Sequence, residues 1–289
     1  MNTRALRDRL VQHEGLNFLL TNRVPRAAAT HAVGWLSRIE SRGFTRLAIA
    51  VWRLFTDLDL SEARQSRFDS LHACFTRELK PGARPIDRDA SVLVSPCDAI
   101  VGACGSAEGL QVLQAKGFPY TMAELFGGEA AAQPWCDGCY ATLRLTSSMY
   151  HRFHAPFDGR LEQVTYLAGD TWNVNPIALK RIERLYCLNE RAAIRLRLAS
   201  GEPIALVAVA AILVASIRLH APDVRLHLRY QGPQVLACDE PVTKGDELGW
   251  FEQGSTIIVF APRGFTLAPD IEPGRRVRMG EALMHLPRN

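Results

Sequence analysis

The alternation of apolar and polar positions changes rhythm once along this 289-residue chain. Before residue 70 the apolar side chains recur at helical spacing. Leu47, Val51, Leu54, Phe55 and Leu58 fall on one stripe, with Arg46 and Arg53 interleaved. Lys80-Pro81-Gly82-Ala83-Arg84-Pro85 forms a turn-rich joint. From about residue 91 the apolar runs are short, β-branched and punctuated by Gly or Pro. Residues 92–94, 141–145, 192–198, 204–217, 224–230 and 255–261 read as strands. One helix is expected after Tyr120-Thr121, through Met122 to Phe126, with Gly127-Gly128 as its stop. The pattern predicts an α+β chain: a helical region over residues 1–70, then a β-rich domain over residues 71–289, with no fixed-period repeat.

Length and composition suit a globular protein with a substantial core. Charge adds more. Residues 1–60 hold nine arginines against five acids, while the rest of the chain balances at 25 to 25. The whole +4 surplus is thus N-terminal, which fits an anionic surface better than a nucleic-acid groove. A basic amphipathic stretch bearing Trp35, Trp52 and Phe55 suits a membrane interface; packing of the same stripe against the rest of the protein is the competing reading. The longest apolar run, residues 204–215, is too short to span a bilayer and is rich in strand-forming residues. Met1 to Val11 is too charged for a signal peptide. Seven scattered cysteines indicate a reducing compartment, and Cys136-Asp137-Gly138-Cys139 has no second pair to complete a metal site, so no metal is expected.

Candidate chemistry sits in three patches. Gly254-Ser255-Thr256 leads into the apolar run Ile257-Ile258-Val259-Phe260, placing a hydroxyl beside a backbone-permissive glycine. Asp98 lies at the end of a predicted strand, and His151 and His154 lie in Tyr150-His151-Arg152-Phe153-His154-Ala155-Pro156. Asp, His and Ser in that chain order provide the residue types in which a carboxylate orients an imidazole that deprotonates a serine. Taken alone, Gly-Ser-Thr mostly marks a turn, and most chains of this length contain all three residue types.

Several motifs read together resemble the phosphatidylserine decarboxylases of the short, bacterial type. They are residues 75–86 (Phe-Thr-Arg-Glu-Leu-Lys-Pro-Gly-Ala-Arg-Pro-Ile), Gln114-Ala115-Lys116-Gly117, the histidine motif at 150–156, Leu188-Asn189-Glu190-Arg191, and residues 244–251 leading into Gly254-Ser255-Thr256. The resemblance implies a self-processing pyruvoyl enzyme. A proenzyme would cut itself between Gly254 and Ser255 into a β chain of residues 1–254 and an α chain of residues 255–289. It implies that His154, oriented by Asp98, deprotonates Ser255, which ends as the pyruvoyl group forming a Schiff base with the substrate amine. His151 is the candidate acid that reprotonates the product, and Thr256 is a candidate for hydrogen-bonding the cleavage intermediate. Phosphatidylserine as substrate, a homodimer, and peripheral attachment to an anionic membrane at the cytoplasmic face follow from the same resemblance.

Departures from that pattern touch no reacting group. Cys97-Asp98-Ala99 stands where Ala-Asp-Gly is usual, Gln253 where Leu is common, and Ala210 and Ala215 where glycine is usual. Two alternatives remain. A pyruvoyl decarboxylase acting on a soluble amino acid would make the basic N-terminal helices unnecessary. Residues 271–283 also resemble the turn-strand pattern of biotinyl- and lipoyl-like barrels, which suggests a barrel-sandwich-like core and, as the weaker alternative, a non-catalytic carrier module.

Overall fold

A computed structural model describes residues 26–115, 118–212, 216–252 and 255–287. Helices α1 (Arg26–Ser37), α2 (Arg42–Phe55) and α3 (Leu71–Phe75) precede a predominantly β remainder. Eight antiparallel strands form the main sheet. Their order is Val235–Val242, Gly159–Leu167, Arg191–Leu198, Pro203–Ala210, Ser255–Ala261, Cys139–Leu145, Ala99–Ser106 and Arg276–Val277. A four-stranded sheet joins Val224–His227, Ser216–Leu219, Glu247–Phe251 and Arg152–His154, and smaller sheets complete the fold.

The strand Ser255–Ala261 lies inside the main sheet and every residue of it is buried. Side chains alternate across a strand. Here Ile257 and Val259 enter one apolar cluster, while Ile258 and Phe260 enter the other. Burial on both faces explains the uninterrupted apolar sequence. The strands expected at 92–94 and 255–261 form over those residues, and the others form with shifted ends. The stretch 204–217 holds two strands rather than one, Pro203–Ala210 and Ser216–Leu219, which lie in different sheets. The helix Met122–Phe126 forms where its signals place it: Thr121 Oγ1 accepts from the Glu124 N–H, and Gly127 closes the helix in the left-handed region at φ +80°.

Helix α2 keeps its apolar stripe in solvent. Leu47, Val51, Leu54 and Phe55 are exposed, whereas Leu58, beyond the helix, is buried. Ile49 and Trp52 face inward, against the small cluster of Ala63, Phe68 and Cys74. Packing therefore accounts for one side of α2 only. No helix among the described residues is long and apolar enough to cross a membrane.

Candidate active site

Ser255 opens its strand, in register with Leu145 on one neighbour and Ala210 on the other. Its hydroxyl is completely buried and has no hydrogen-bond partner. A buried orphan hydroxyl costs stability unless something else uses it. The residue lines a cavity of about 520 Å³ that runs between the sheet and the helices, with Trp52, Phe75, Arg144, Leu145 and Ile212 among its walls. Gln253 and Gly254 lie outside the described residues, as does Ala215. Ala210, the other departure in this strand pair, pairs directly with Ser255, and its carbonyl accepts from Asn189 Nδ2 at 2.8 Å.

His151 is fully buried, its ring centroid 3.9 Å from that of Phe75, a wall of the Ser255 cavity. Nδ1 lies 2.8 Å from the Met149 carbonyl. A carbonyl only accepts, so Nδ1 carries the proton, and Nε2 is left as an unpartnered lone pair. Burial pushes the imidazole down to about 3, making it neutral at physiological pH. His154 adopts the same tautomer: Nδ1 donates to the Gly245 carbonyl at 2.9 Å, and Nε2 accepts from the Tyr150 hydroxyl at 3.0 Å. Burial lowers its pKa as well. Gly245 presents that carbonyl from a left-handed turn at φ +95°, a conformation that favours glycine.

Asp98 sits beside the histidine segment without touching an imidazole in the hydrogen-bond network. The His154 N–H donates to the Pro96 carbonyl at 2.8 Å, which ties the two segments together. The Asp98 carboxylate is gripped by the Arg84 fork, at 2.8 Å to Nε and 2.5 Å to Nη2, and accepts the Met279 N–H at 2.9 Å. On His154 Nδ1 the Gly245 carbonyl holds the place that a triad carboxylate would take. Thr256 follows Ser255 on the opposite face of the strand, where its buried Oγ1 faces Tyr186 without closing a hydrogen bond.

The structure thus joins His154 to Tyr150, leaves Asp98 with Arg84 on the adjoining segment, and places Ser255 at a cavity whose Phe75 wall lies in tilted contact with His151. Tyr150 and Arg84 lay inside quoted motifs without being singled out. Glu252 gave no sequence signal, since its importance depends on residues far away in the chain. Buried two positions before Gly254, it accepts from Arg38 Nη2 and Arg225 Nη2, both at 2.6 Å, and from the Ser216 hydroxyl. Burial alone would raise its pKa, but Ser216 and the two arginines outweigh it and hold the carboxyl low.

A family model described as phosphatidylserine decarboxylase matches residues 71–285. The chain belongs to the phosphatidylserine decarboxylase family. It is 35% identical over 265 residues to a protein of Myxococcus xanthus named phosphatidylserine decarboxylase proenzyme, with 90% of this chain and 94% of that relative covered. A protein of the same name from Photobacterium profundum is 37% identical over 279 residues, covering 91% and 94% of the two chains. One from Polaromonas naphthalenivorans is 35% identical over 271 residues, covering 90% and 93%. Members of this decarboxylase family carry a pyruvoyl group made from a serine by self-cleavage. The residues here fit such a group, because Ser255 offers an unengaged, buried hydroxyl at a cavity wide enough for a small substrate headgroup.

Proposed function

We propose that this protein is a proenzyme that cuts itself between Gly254 and Ser255 and, once processed, decarboxylates phosphatidylserine to phosphatidylethanolamine. The orphan hydroxyl of Ser255, buried at a cavity in a chain of this family, carries the reading. Ser255 Oγ attacks the Gly254 carbonyl carbon while an imidazole takes the hydroxyl proton. The peptide nitrogen leaves protonated, and an ester links the two residues. β-Elimination then frees the Gly254 carboxylate, and addition of water releases ammonia and leaves a ketone at the new N-terminus. The pyruvoyl group supplies an electrophilic ketone that accepts the electron pair released with CO2.

His154 is the proposed base for cleavage. Its tautomer is correct, with Nδ1–H fixed on the Gly245 carbonyl and a basic Nε2 that the Tyr150 hydroxyl occupies and must yield. Asp98 supports it from beyond hydrogen-bond contact, through its negative charge and through the segment it anchors with Arg84. A second reading has one specific observation behind it: the free buried Nε2 of His151, ready to accept a proton without displacing anything. In the first scheme His151 instead handles the proton that replaces CO2, after Nε2 has been charged by the reaction itself.

Residues 1–70 are proposed to attach the enzyme peripherally to an anionic bilayer, with residues 71–289 forming the catalytic domain. The exposed stripe Leu47, Val51, Leu54 and Phe55 beside Arg46 and Arg53 supports a lipid substrate over a soluble amino acid. The intact mass of purified protein tests the central claim. Species of 254 and 35 residues are expected, the shorter blocked to Edman degradation for lack of an amine. A single 289-residue species, or a free N-terminal serine on the short chain, overturns it.

A further inference from the structure

Within the motif Leu188-Asn189-Glu190-Arg191, the Asn189 side chain is completely buried and ties together two segments that wall the Ser255 cavity. Its Oδ1 accepts the Trp172 N–H at 2.8 Å, and its Nδ2 donates to the Trp172 and Ala210 carbonyls, both at 2.8 Å. One N–H and two carbonyls around the amide allow it only one orientation. The sheet explains why an amide is needed there. The Ala210 N–H donates to the Glu190 carbonyl at 2.9 Å, and in such an antiparallel pair the return bond runs from the Glu190 N–H to the Ala210 carbonyl. Here the Glu190 N–H donates instead to the Asp170 carbonyl at 2.8 Å, so the strand admits an incoming segment. Gly169 permits that approach, since a Cβ there would lie 2.5 Å from the Leu188 carbonyl oxygen. Asn189 Nδ2 then supplies the bond that the Ala210 carbonyl would otherwise lose.

Both tied segments meet at Ser255. Ala210 turns its N–H and its carbonyl toward Glu190 and Asn189, so its pairing with Ser255 is of the narrow, non-hydrogen-bonded kind, with Cα atoms roughly 4.5 Å apart. The residues that follow on each segment, Ala211 and Ile212 after Ala210 and Asn173 to Asn175 after Trp172, line the same cavity as Ser255. The far end of the second segment is braced locally. Asn173 Oδ1 accepts the Asn175 N–H, and Asn175 Oδ1 accepts the Ala178 N–H, both at 2.8 Å. Its near end rests on the Asp170–Asn189 bridge and on the Asn189 amide. Separate walls of the cavity come from α1 and α2 through Val33, Ala48 and Trp52.

Resting on the decarboxylase reading above, we propose that Asn189 is a positioning residue for the chemistry at Ser255, holding segments 173–175 and 210–212 in register so that the cavity presents the substrate amine to the Ser255 position. Lipid capture falls to α1 and α2 in that reading. Loosening the clamp therefore lowers turnover more than affinity, because a small misplacement of the reacting groups slows the reaction without removing the surfaces that bind lipid.

Two variants test this against the parent. Asn189→Ala removes all three bonds, and Asn189→Asp keeps the shape and the acceptor for the Trp172 N–H while losing the donors. Each is incubated until intact mass shows cleavage to be complete. If Asn189→Ala stays whole, Asn189→Asp carries the test; if both stay whole, the residue belongs to folding or maturation and the proposal is overturned. In mixed micelles of phosphatidylserine, kcat should fall roughly ten- to hundredfold in Asn189→Ala, and fall in Asn189→Asp as well, with KM within about twofold of the parent. Amide hydrogen exchange gives a second reading. Residues 171–175 should exchange at least about tenfold faster in the variants while the strand Arg191–Leu198 keeps its protection, a local effect that general destabilisation would not produce. Parental kcat, a change confined to KM, or exchange quickened alike over the whole sheet would overturn the assignment. A parent that releases no CO2 would bring down the decarboxylase reading and this proposal together, whereas an active parent with variants that match it brings down the proposal alone.

Discussion

At the scale of single residues, the two histidines differ in what occupies Nε2. On His154 it is a tyrosine hydroxyl; on His151 it is nothing. If His154 is the cleavage base, His154→Ala should accumulate full-length chain, as should Ser255→Ala, whereas His151→Ala should be cleaved yet slow by roughly 10²-fold or more in CO2 release. Gel analysis of maturation alongside CO2 assays checks this, and the reverse pattern would transfer the base role to His151. Protonation gives a separate test. Buried His151 is held near 3 against an ordinary value of 6.5, and His72 and His154 shift the same way. Between those values the unfolded chain binds the proton that the folded chain refuses, so stability falls as pH drops below 6.5 and continues to fall toward 3. Each such histidine contributes a slope of at most about 1.4 kcal/mol per pH unit. Urea unfolding of the uncleavable Ser255→Ala chain at pH 7, 6 and 5 should show the decline, and adding His151→Gln should make it shallower. Equal slopes would show that His151 is not the buried neutral group described here.

At the scale of elements, the segment entering the scissile bond is anchored from three directions. Glu252 ties it to α1 through Arg38, to the strand Val224–His227 through Arg225, and to the strand Ser216–Leu219 through Ser216. Glu252→Gln leaves two arginines without their shared counter-charge. A loss of about 1 kcal/mol in stability is expected, because Glu252 is buried but both arginine side chains are over a third exposed and stay solvated. Self-cleavage should slow at the same time, because Glu252 anchors the chain two residues before Gly254. Maturation followed by intact mass in Ser216→Ala, Arg38→Ala and Glu252→Gln should rank in that order of increasing delay. Cleavage at the parental rate in Glu252→Gln would confine its role to folding. How much of this was readable beforehand varies by element. The strand Ser255–Ala261 and the short helix Met122–Phe126 were legible because a β-branched run and a cap-to-glycine pattern are local signals. The break of the apolar stretch 204–217 into two strands of different sheets was not, since nothing local says where a buried strand changes partners.

At the scale of the whole molecule, cationic and apolar surfaces coincide on one side of α2. Arg46 and Arg53 are exposed among Leu47, Val51, Leu54 and Phe55, while the inward face of the same helix walls the cavity of Ser255 through Trp52. Binding to anionic vesicles should therefore exceed binding to neutral ones and weaken with added salt, because screening removes the electrostatic part. Reversing Arg46 and Arg53 to Glu should cut vesicle co-sedimentation several-fold, at about 1 kcal/mol for each basic residue near the surface, and lower activity on lipid. Maturation should remain intact, since cleavage chemistry lies among the strands. Sedimentation indifferent to vesicle charge, salt and both substitutions would favour a soluble substrate.

The sequence by itself determined the family and the β-rich class of the chain, and it singled out the serine and the two histidines proposed to react. Those follow from motifs in linear order and from the two-residue and helical periods of burial, which are local properties of the chain. Only the tertiary structure decided the partners. It set Gly245 rather than Asp98 on His154, gave Asp98 to Arg84, joined Arg38 and Arg225 on Glu252, and left the Ser255 hydroxyl and His151 Nε2 unsatisfied. Hydrogen bonding and burial depend on residues brought together from distant parts of the chain, so which polar groups end up paired is a property of packing that no local pattern contains.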